Sequence, residues 1–228
     1  QFSDYALSCI IRGEGMGSPR VTAGTASAFG GVSENLNGFG IPAGCCSDGP
    51  SGMRLDCGTK AFSLPNGTMI ASSFNKELTS ELFTFMGLEM AANKVDCLLG
   101  PGMNIHRHPL NGRNFEYFSE DPFLTGKMAA AELKGMAGAG VTGTIKHFCA
   151  NNRETNRHFI DSVVSERALR EIYLKGFEIA VKEGGASSVM TTYGIVNGLW
   201  TAGNFDLNTV ILREEWGFKG FTMTDWWA

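Results

Sequence analysis

Four times along this chain a helical pattern gives way to a short apolar run, and the run stops at a cluster of polar residues. The first pattern covers Asn75 to Asn93, with Leu78, Leu82, Phe85, Met86 and Met90 on one side. The second opens on Asp121-Pro122, an N-cap followed by a proline at the first helical position. It carries Leu124, Met128, Ala131 and Met136 and stops at Gly138 and Gly140. The third runs from Ser165 to Glu183, buries Leu169, Ile172, Tyr173, Phe177, Ala180 and Val181, and ends at Gly184-Gly185. A shorter fourth covers Leu207 to Trp216. Each is followed by a run with the length and composition of a buried strand: Val95 to Leu99, Val141 to Phe148, Ala186 to Tyr193, and Phe218 to Thr224. Ile41 to Cys46 has the same character earlier in the chain. Helices alternating with buried strands predict a parallel α/β fold, either an eight-fold barrel or an open doubly wound sheet.

The barrel is favoured, because polar and ionisable residues stand at the C-terminal end of run after run. These are Ser47-Asp48, Asn104 to His108, Lys146-His147, Thr192-Tyr193 and Thr224-Asp225. In a barrel those ends converge on one rim, where active sites lie. No strand leads into G-x-G-x-x-G; the glycines of Gly13-Glu14-Gly15-Met16-Gly17 are wrongly spaced for it, and a phosphate-binding G-x-x-x-x-G-K-[ST] loop is absent.

Nineteen Lys and Arg against 23 Asp and Glu leave a net charge of −4 with no block of like charge. Neither nucleic acid nor a membrane surface is therefore an expected partner. The apolar runs fall far short of the roughly 20 residues of a membrane span. Six cysteines form no C-x-x-C pair and several sit in apolar runs, which suits reduced structural thiols; a vicinal Cys45–Cys46 disulfide is the lesser alternative. With no basic, apolar leader pattern at Gln1 to Ile11 and one short sequon at Asn66, the compartment stays open, the cytoplasm slightly favoured over secretion.

Asp225 follows an apolar run and precedes Trp226 and Trp227. A carboxylate at a strand end beside indole faces suits a sugar site, acid for the chemistry and ring for stacking, although it also suits an N-cap. Lys146-His147 closes an apolar run, where charge is costly unless it faces a polar cavity. A desolvated barrel lysine also fits a Schiff-base nucleophile, so a lyase competes on these residues alone. His106 and His108 flank Arg107 without a third metal ligand at a metal-site spacing, so no metal is expected. Asp48 reads as a turn aspartate, Tyr193 as a strand-end aromatic, and Arg54, Arg113 and Arg157 as surface or ion-paired arginines.

Longer motifs narrow these alternatives. GPGMNIHRHPLNGRNFEYFSED (Gly100 to Asp121), KHFCANNRETNR (Lys146 to Arg157), SERALREIYLKGFE (Ser165 to Glu178) and the closing GFTMTDWWA closely resemble glycoside hydrolase family 3, of β-glucosidase type. The likeness covers most of the chain from about Gly40 onward. The opening RGEGMGSPRVTAGTASAFGG (Arg12 to Gly31) also resembles family members from anaerobic bacteria, some of which carry the barrel after the other domain.

The resemblance implies a role for each matching residue. The Asp of the S/T-D-W motif, here Asp225, is the nucleophile; Thr224 stands where Ser is common. Asp48 of D-G-P-x-G-x-R grips two sugar hydroxyls, and Arg54 is that motif's arginine. Arg113, the Lys146-His147 pair, Arg157 and Tyr193 bind substrate, and Trp226 lines the subsite for the terminal sugar. His108 departs from the family's usual H-R-D-P and is left out of the site. Aspartate rather than glutamate at position 48 favours a hexose over a xyloside, and KHFCANNRE replaces the loop of the N-acetylglucosaminidase branch. The resemblance thus implies a retaining, exo-acting β-glucosidase on small β-glucosides or oligosaccharides, with no cofactor. A β-xylosidase or other β-glycosidase is the alternative, and an isolated segment that binds sugar without turnover is the competitor from another class. Residues 1–228 would form most of an N-terminal-type (β/α)8 TIM-like barrel domain, incomplete at its C-terminal end against about 250 residues for a full barrel. The family's α/β sandwich domain, which commonly supplies the general acid/base, is expected to lie outside this chain.

Overall fold

The computed structural model describes residues 2–228. The chain runs α1 (Asp4–Arg12), β1 (Ser27–Gly30), α2 (Glu34–Gly38), β2 (Ala43–Asp48), α3 (Gly67–Ser72), α4 (Lys76–Ala92), β3 (Cys97–Leu99), α5 (Pro122–Gly138), β4 (Thr142–Phe148), β5 (Asp161–Ser162), α6 (Glu166–Ala168), α7 (Lys175–Lys182), β6 (Ser188–Thr191), β7 (Ile195–Val196), β8 (Leu199–Trp200) and β9 (Phe221–Met223). A π-helical turn, Leu169–Tyr173, joins α6 to α7, and Asp206–Glu215 winds as a π-helix before β9.

The main sheet has the order β1-β2-β3-β4-β6-β9; β5, β7 and β8 form a separate small sheet. From β2 to β9 every pairing in the main sheet is parallel and neighbours follow chain order, with a helical crossover between successive strands. A doubly wound sheet would reverse its order at a switch point; this one does not. The sheet curls until its edges meet, for Phe29 on β1 stacks on Phe221 of β9 at 4.8 Å between ring centroids. β1 itself pairs antiparallel with β2. Its four residues, Ser-Ala-Phe-Gly, are too short and too mixed to announce a strand in the sequence.

The two faces of the sheet are sorted by alternation. Cys45, Leu98, Ile145 and Val189 face the helices in the larger core, whereas Cys46, Cys97, Leu99 and Met190 fill the concave side with Phe29, Phe221 and Trp226. Adjacent Cys45 and Cys46 therefore point apart, and all six cysteines are free. α5 is the central helix on the outer face. Asp121 caps it, accepting from the Phe123 and Leu124 N–H groups, with Pro122 at the first position as the sequence predicts. Gly135 lets α4 approach: a Cβ there would lie 2.3 Å from the Ser80 carbonyl oxygen.

Two expectations need correction. On α4 the buried side is Thr79, Phe83, Met86 and Met90, while Leu78 and Phe85 are 53% and 60% exposed. Hydrophobic residues lie on several sides of this helix, so their spacing alone does not fix its phase, and contact with α5 decides it. The Ser165 to Glu183 pattern is helical throughout but not one α-helix; the π turn rotates its second half, leaving Ile172 and Tyr173 half-buried while Leu174 enters the core.

Candidate active site

Asp48 is the last residue of β2, and the chain reverses at once through Gly49-Pro50-Ser51-Gly52. A Cβ on Gly49 would lie 1.7 Å from the Gly52 carbonyl oxygen, so only glycine fits. The Arg54 N–H closes the turn by donating to the Asp48 carbonyl at 2.7 Å, and the Ser47 hydroxyl donates to the Arg54 carbonyl at 3.1 Å. The Arg54 guanidinium stays on the rim, 3.0 Å from Asp56 and 4.0 Å from Asp48.

β4 contributes two adjacent groups. Successive side chains on a strand face opposite ways, yet Lys146 and His147 line the same cavity. The register with β6 is irregular between Ile145 and Phe148, and the strict alternation of the strand is broken over that stretch. Both residues are almost wholly buried. Lys146 Nζ lies 3.2 Å from Asp48 Oδ1, and His147 Nε2 lies 3.6 Å from Asp225 Oδ2. Because Lys146 is held by Asp48 instead of standing free, a Schiff-base lyase has no support from this arrangement.

Asp225 follows the end of β9. Its Oδ1 accepts from the Trp226 N–H at 2.7 Å, and the Tyr193 hydroxyl lies near enough to the same carboxylate to lower its pKa. Tyr193, beyond the end of β6, is gripped from two sides: the Arg157 guanidinium carbon lies 4.4 Å from its ring centroid and the His158 ring 4.3 Å. Arg157 is anchored by Glu154 at 2.9 Å, and Arg113 pairs with Glu116 beside the Tyr117 ring.

Asp48, Arg54, Arg113, Lys146, His147, Arg157, Tyr193, Asp225 and Trp226 thus line one cavity of about 350 Å³. Residues up to 178 positions apart in sequence are brought together beyond the C-terminal ends of β2, β3, β4, β6 and β9. Met16, Gly24, Ala26, Asp56, Leu99, Met190 and Trp227 complete the lining, and the motifs assign none of them a role. His108 lies instead on a separate cavity of about 700 Å³ with Arg107 and Arg153, its Nδ1 accepting from the Leu110 N–H. His106 Nε2 sits 3.1 Å from the Tyr117 carbonyl, so the two histidines do not share a site.

The two carboxylates are tuned in opposite directions. Burial alone would raise Asp48, but the Lys146 ammonium, the Gly49 N–H and Arg113 outweigh it and hold that carboxyl below its usual value. Burial raises Asp225; the Trp226 N–H, Lys146, Tyr193 and Arg113 offset only part of it. Burial, with Arg113, Lys146 and Arg157 close by, pushes His147 well below the ordinary histidine range, so its ring is neutral. Tyr193 is pushed up to about 12 by burial and by the Asp225 charge, and keeps its proton. Behind His147, three residues that the motifs did not single out, Asn104, Tyr117 and Asn151, form a buried polar network. Their one sequence signal is polarity: Asn104 and Asn151 stand beside apolar runs that end on the rim.

The family model described as glycosyl hydrolase family 3 N terminal domain matches residues 2–228. A β-glucosidase from Ruminococcus albus is 79% identical over 228 residues, all of this chain and 24% of that protein. The crystal structure of a β-glucosidase from Paenibacillus barengoltzii superposes with a TM-score of 0.98 at 62% identity, over 100% of this chain and 25% of that one. β-Glucosidase 3B from Thermotoga neapolitana, solved in complex with glucose, gives 0.89 at 45% identity, over 98% of this chain and 33% of that one. The chain spans about a quarter of the length of the curated relatives it matches.

Proposed function

The chain belongs to glycosyl hydrolase family 3, and from that premise we propose that it forms most of the (β/α)8-type catalytic barrel of a retaining, exo-acting β-glucosidase. The observation that carries the proposal is the setting of Asp225. The residue is 8% exposed, its carboxylate accepts from the Trp226 N–H, and it lines a cavity together with Lys146, Arg113, Arg157 and Tyr193. Asp225 attacks the anomeric carbon; the C1–O bond to the carboxylate forms as the bond to the aglycone oxygen breaks, and that oxygen takes a proton from a general acid. Water then attacks the same carbon from the face the aglycone left, giving a proton to the conjugate base of that general acid, and the ester bond breaks with the carboxylate as leaving group. Two inversions give net retention.

Asp48, Lys146, Arg113 and Arg157 bind the sugar hydroxyls through charge-assisted hydrogen bonds and the neutral His147 through an ordinary one; such bonds discriminate hydroxyl patterns far better than apolar contact does. Trp226 offers its indole face to the pyranose. The two glutamates nearest these groups, Glu116 and Glu154, are both committed to arginines. The general acid is then the one that the resemblance to the family places in a sandwich domain outside these residues. The full-length enzyme should release nitrophenol from an aryl β-glucoside faster than from the β-xyloside. Incubation with a 2-deoxy-2-fluoro-β-glucoside bearing a good leaving group should leave one fluoroglucosyl ester, on Asp225; a trapped enzyme labelled elsewhere, or not at all, sinks the proposal.

A further inference from the structure

His147 is neutral and buried, so its two ring nitrogens are not equivalent: one carries a proton and the other does not. The neighbours decide which. Glu154 Oε1 lies 3.0 Å from Asn151 Nδ2, and a carboxylate only accepts, so the Asn151 amide must present its NH2 group there. The same Nδ2 lies 3.0 Å from the Tyr117 hydroxyl oxygen. Tyr117 OH therefore accepts from Asn151, and its own single proton needs another acceptor. Tyr117 is fully buried, and burial pushes its hydroxyl up, so that proton is present. The remaining neighbour within reach is His147 Nδ1, 3.0 Å away. Nδ1 is thereby the bare nitrogen, and the ring proton sits on Nε2, the atom that faces Asp225 Oδ2.

Asn104 fixes the rest of the residue. Its Oδ1 accepts the His147 backbone N–H at 2.9 Å, and its Nδ2 donates to the His147 carbonyl at 2.9 Å. This orientation leaves Asn104 Oδ1 as an acceptor 3.4 Å from Nδ1. If Tyr117 were silent, an Nδ1–H tautomer would have somewhere to point, so the choice between tautomers rests on Tyr117.

We infer that Tyr117 and Asn151 are positioning residues that lock His147 in the Nε2–H tautomer, making it a hydrogen-bond donor toward Asp225 and the sugar. The relay runs from the Arg157–Glu154 ion pair through Asn151 and Tyr117 to His147. It couples one wall of the cavity to the other without any of the linking side chains touching substrate. The inference deepens the proposed function, because the donor matters only if Asp225 and His147 act on the substrate. The tautomer itself is measured without turnover.

Histidine-selective 15N labelling of the full-length protein, with the His147 signals assigned by their loss in His147→Gln, reads the two nitrogens directly. The expected wild-type spectrum has a pyridine-type shift at Nδ1 and a pyrrole-type shift at Nε2. In Tyr117→Phe, which keeps the buried ring and removes the hydroxyl, both shifts should move toward the average of the two types as the Nδ1–H form becomes populated. A pyrrole-type Nδ1 in the wild type overturns the inference, and so does a folded Tyr117→Phe protein that keeps the single Nε2–H tautomer. The wild-type spectrum suffices by itself should the variant not fold. An Asp225 that resists trapping beside an intact tautomer would remove the proposed glucosidase function and leave this inference standing.

Discussion

Replacing Lys146 by methionine tests whether Asp48 is held down by its ion pair. Methionine keeps an unbranched, apolar side chain of similar length in a position that is 5% exposed, while the ammonium 3.2 Å from Asp48 Oδ1 disappears. Breaking a fully buried pair costs about 3–5 kcal/mol and an exposed one about 0–1. Asp48 is 38% exposed and Lys146 is not, so about 2 kcal/mol is expected, or a fall in melting temperature of about 4–8 °C. The pH dependence is the sharper part. In the wild type the folded-state pKa of Asp48 is depressed, so its contribution is fully present above the unfolded value of about 3.9 and is lost as pH falls through the folded value. Without Lys146 the largest remaining influence is burial, which raises the folded pKa, so in the variant the Asp48 charge destabilises at neutral pH. The difference between the two proteins should be greatest near pH 7 and shrink steadily once pH drops below about 5. Thermal melts of both proteins from pH 7 to 4 decide it; a deficit that stays constant across that range would mean Lys146 acts through packing and not through charge.

Three further outcomes are expected of the same fold. Asp225→Asn removes a carboxylate whose folded pKa is raised chiefly by burial; its cost is full above the folded pKa and absent below the unfolded one. The variant should therefore gain about 1–2 kcal/mol at pH 7 and nothing near pH 3.5 in denaturant titrations, while losing turnover. Gly135→Ala places a methyl 2.3 Å from the Ser80 carbonyl and must push α4 from α5; a loss of about 1–3 kcal/mol is expected in chemical denaturation, and no loss would show that the helices can part freely. With a colorimetric disulfide reagent, Cys57, exposed and lowered in pKa by its hydrogen bonds to Thr59, should react first. Cys45, Cys46, Cys97 and Cys149 should stay silent until the fold is opened.

The parts of the site that were legible in the sequence are those set by local rules. Asp121-Pro122 announces α5 because capping chemistry involves only neighbouring residues. Lys146-His147 announces a cavity because charge at the end of an apolar strand needs polar company. What stayed hidden depends on partners remote in the chain. Asp48 and Lys146 are 98 residues apart, and neither sequence neighbourhood predicts the other. That Lys146 and His147 line the same cavity, where the β4–β6 register is irregular, is not announced by their own sequence neighbourhood. Met16 and Ala26 reach the cavity only because β1 lies antiparallel on β2 at the edge that curls against β9. Tyr117 lay unnoticed for another reason: a buried tyrosine looks like core until its hydroxyl partners are known.

The opposite tuning of Asp48 and Asp225 separates their chemical parts. Asp48 has an ion-pair partner, so its charge is stable at every stage and suits a group that holds hydroxyls without reacting. Among the described residues Asp225 has no ammonium or guanidinium ion pair; it accepts from one backbone N–H, with a phenol and a neutral imidazole alongside, and burial dominates its pKa. A carboxylate in that condition is destabilised as an anion relative to any neutral form. Protonation is one such form, and for the proposed nucleophile the glycosyl ester is the other. The same desolvation that lifts its pKa therefore favours the covalent intermediate, while the neutral Nε2–H of His147 can follow the carboxylate oxygen without pairing its charge. A formal cation at position 147 would reverse this, by stabilising the free carboxylate more than the ester. Keeping His147 neutral, through its burial and its three cationic neighbours, is in that sense part of what the proposed role of Asp225 requires.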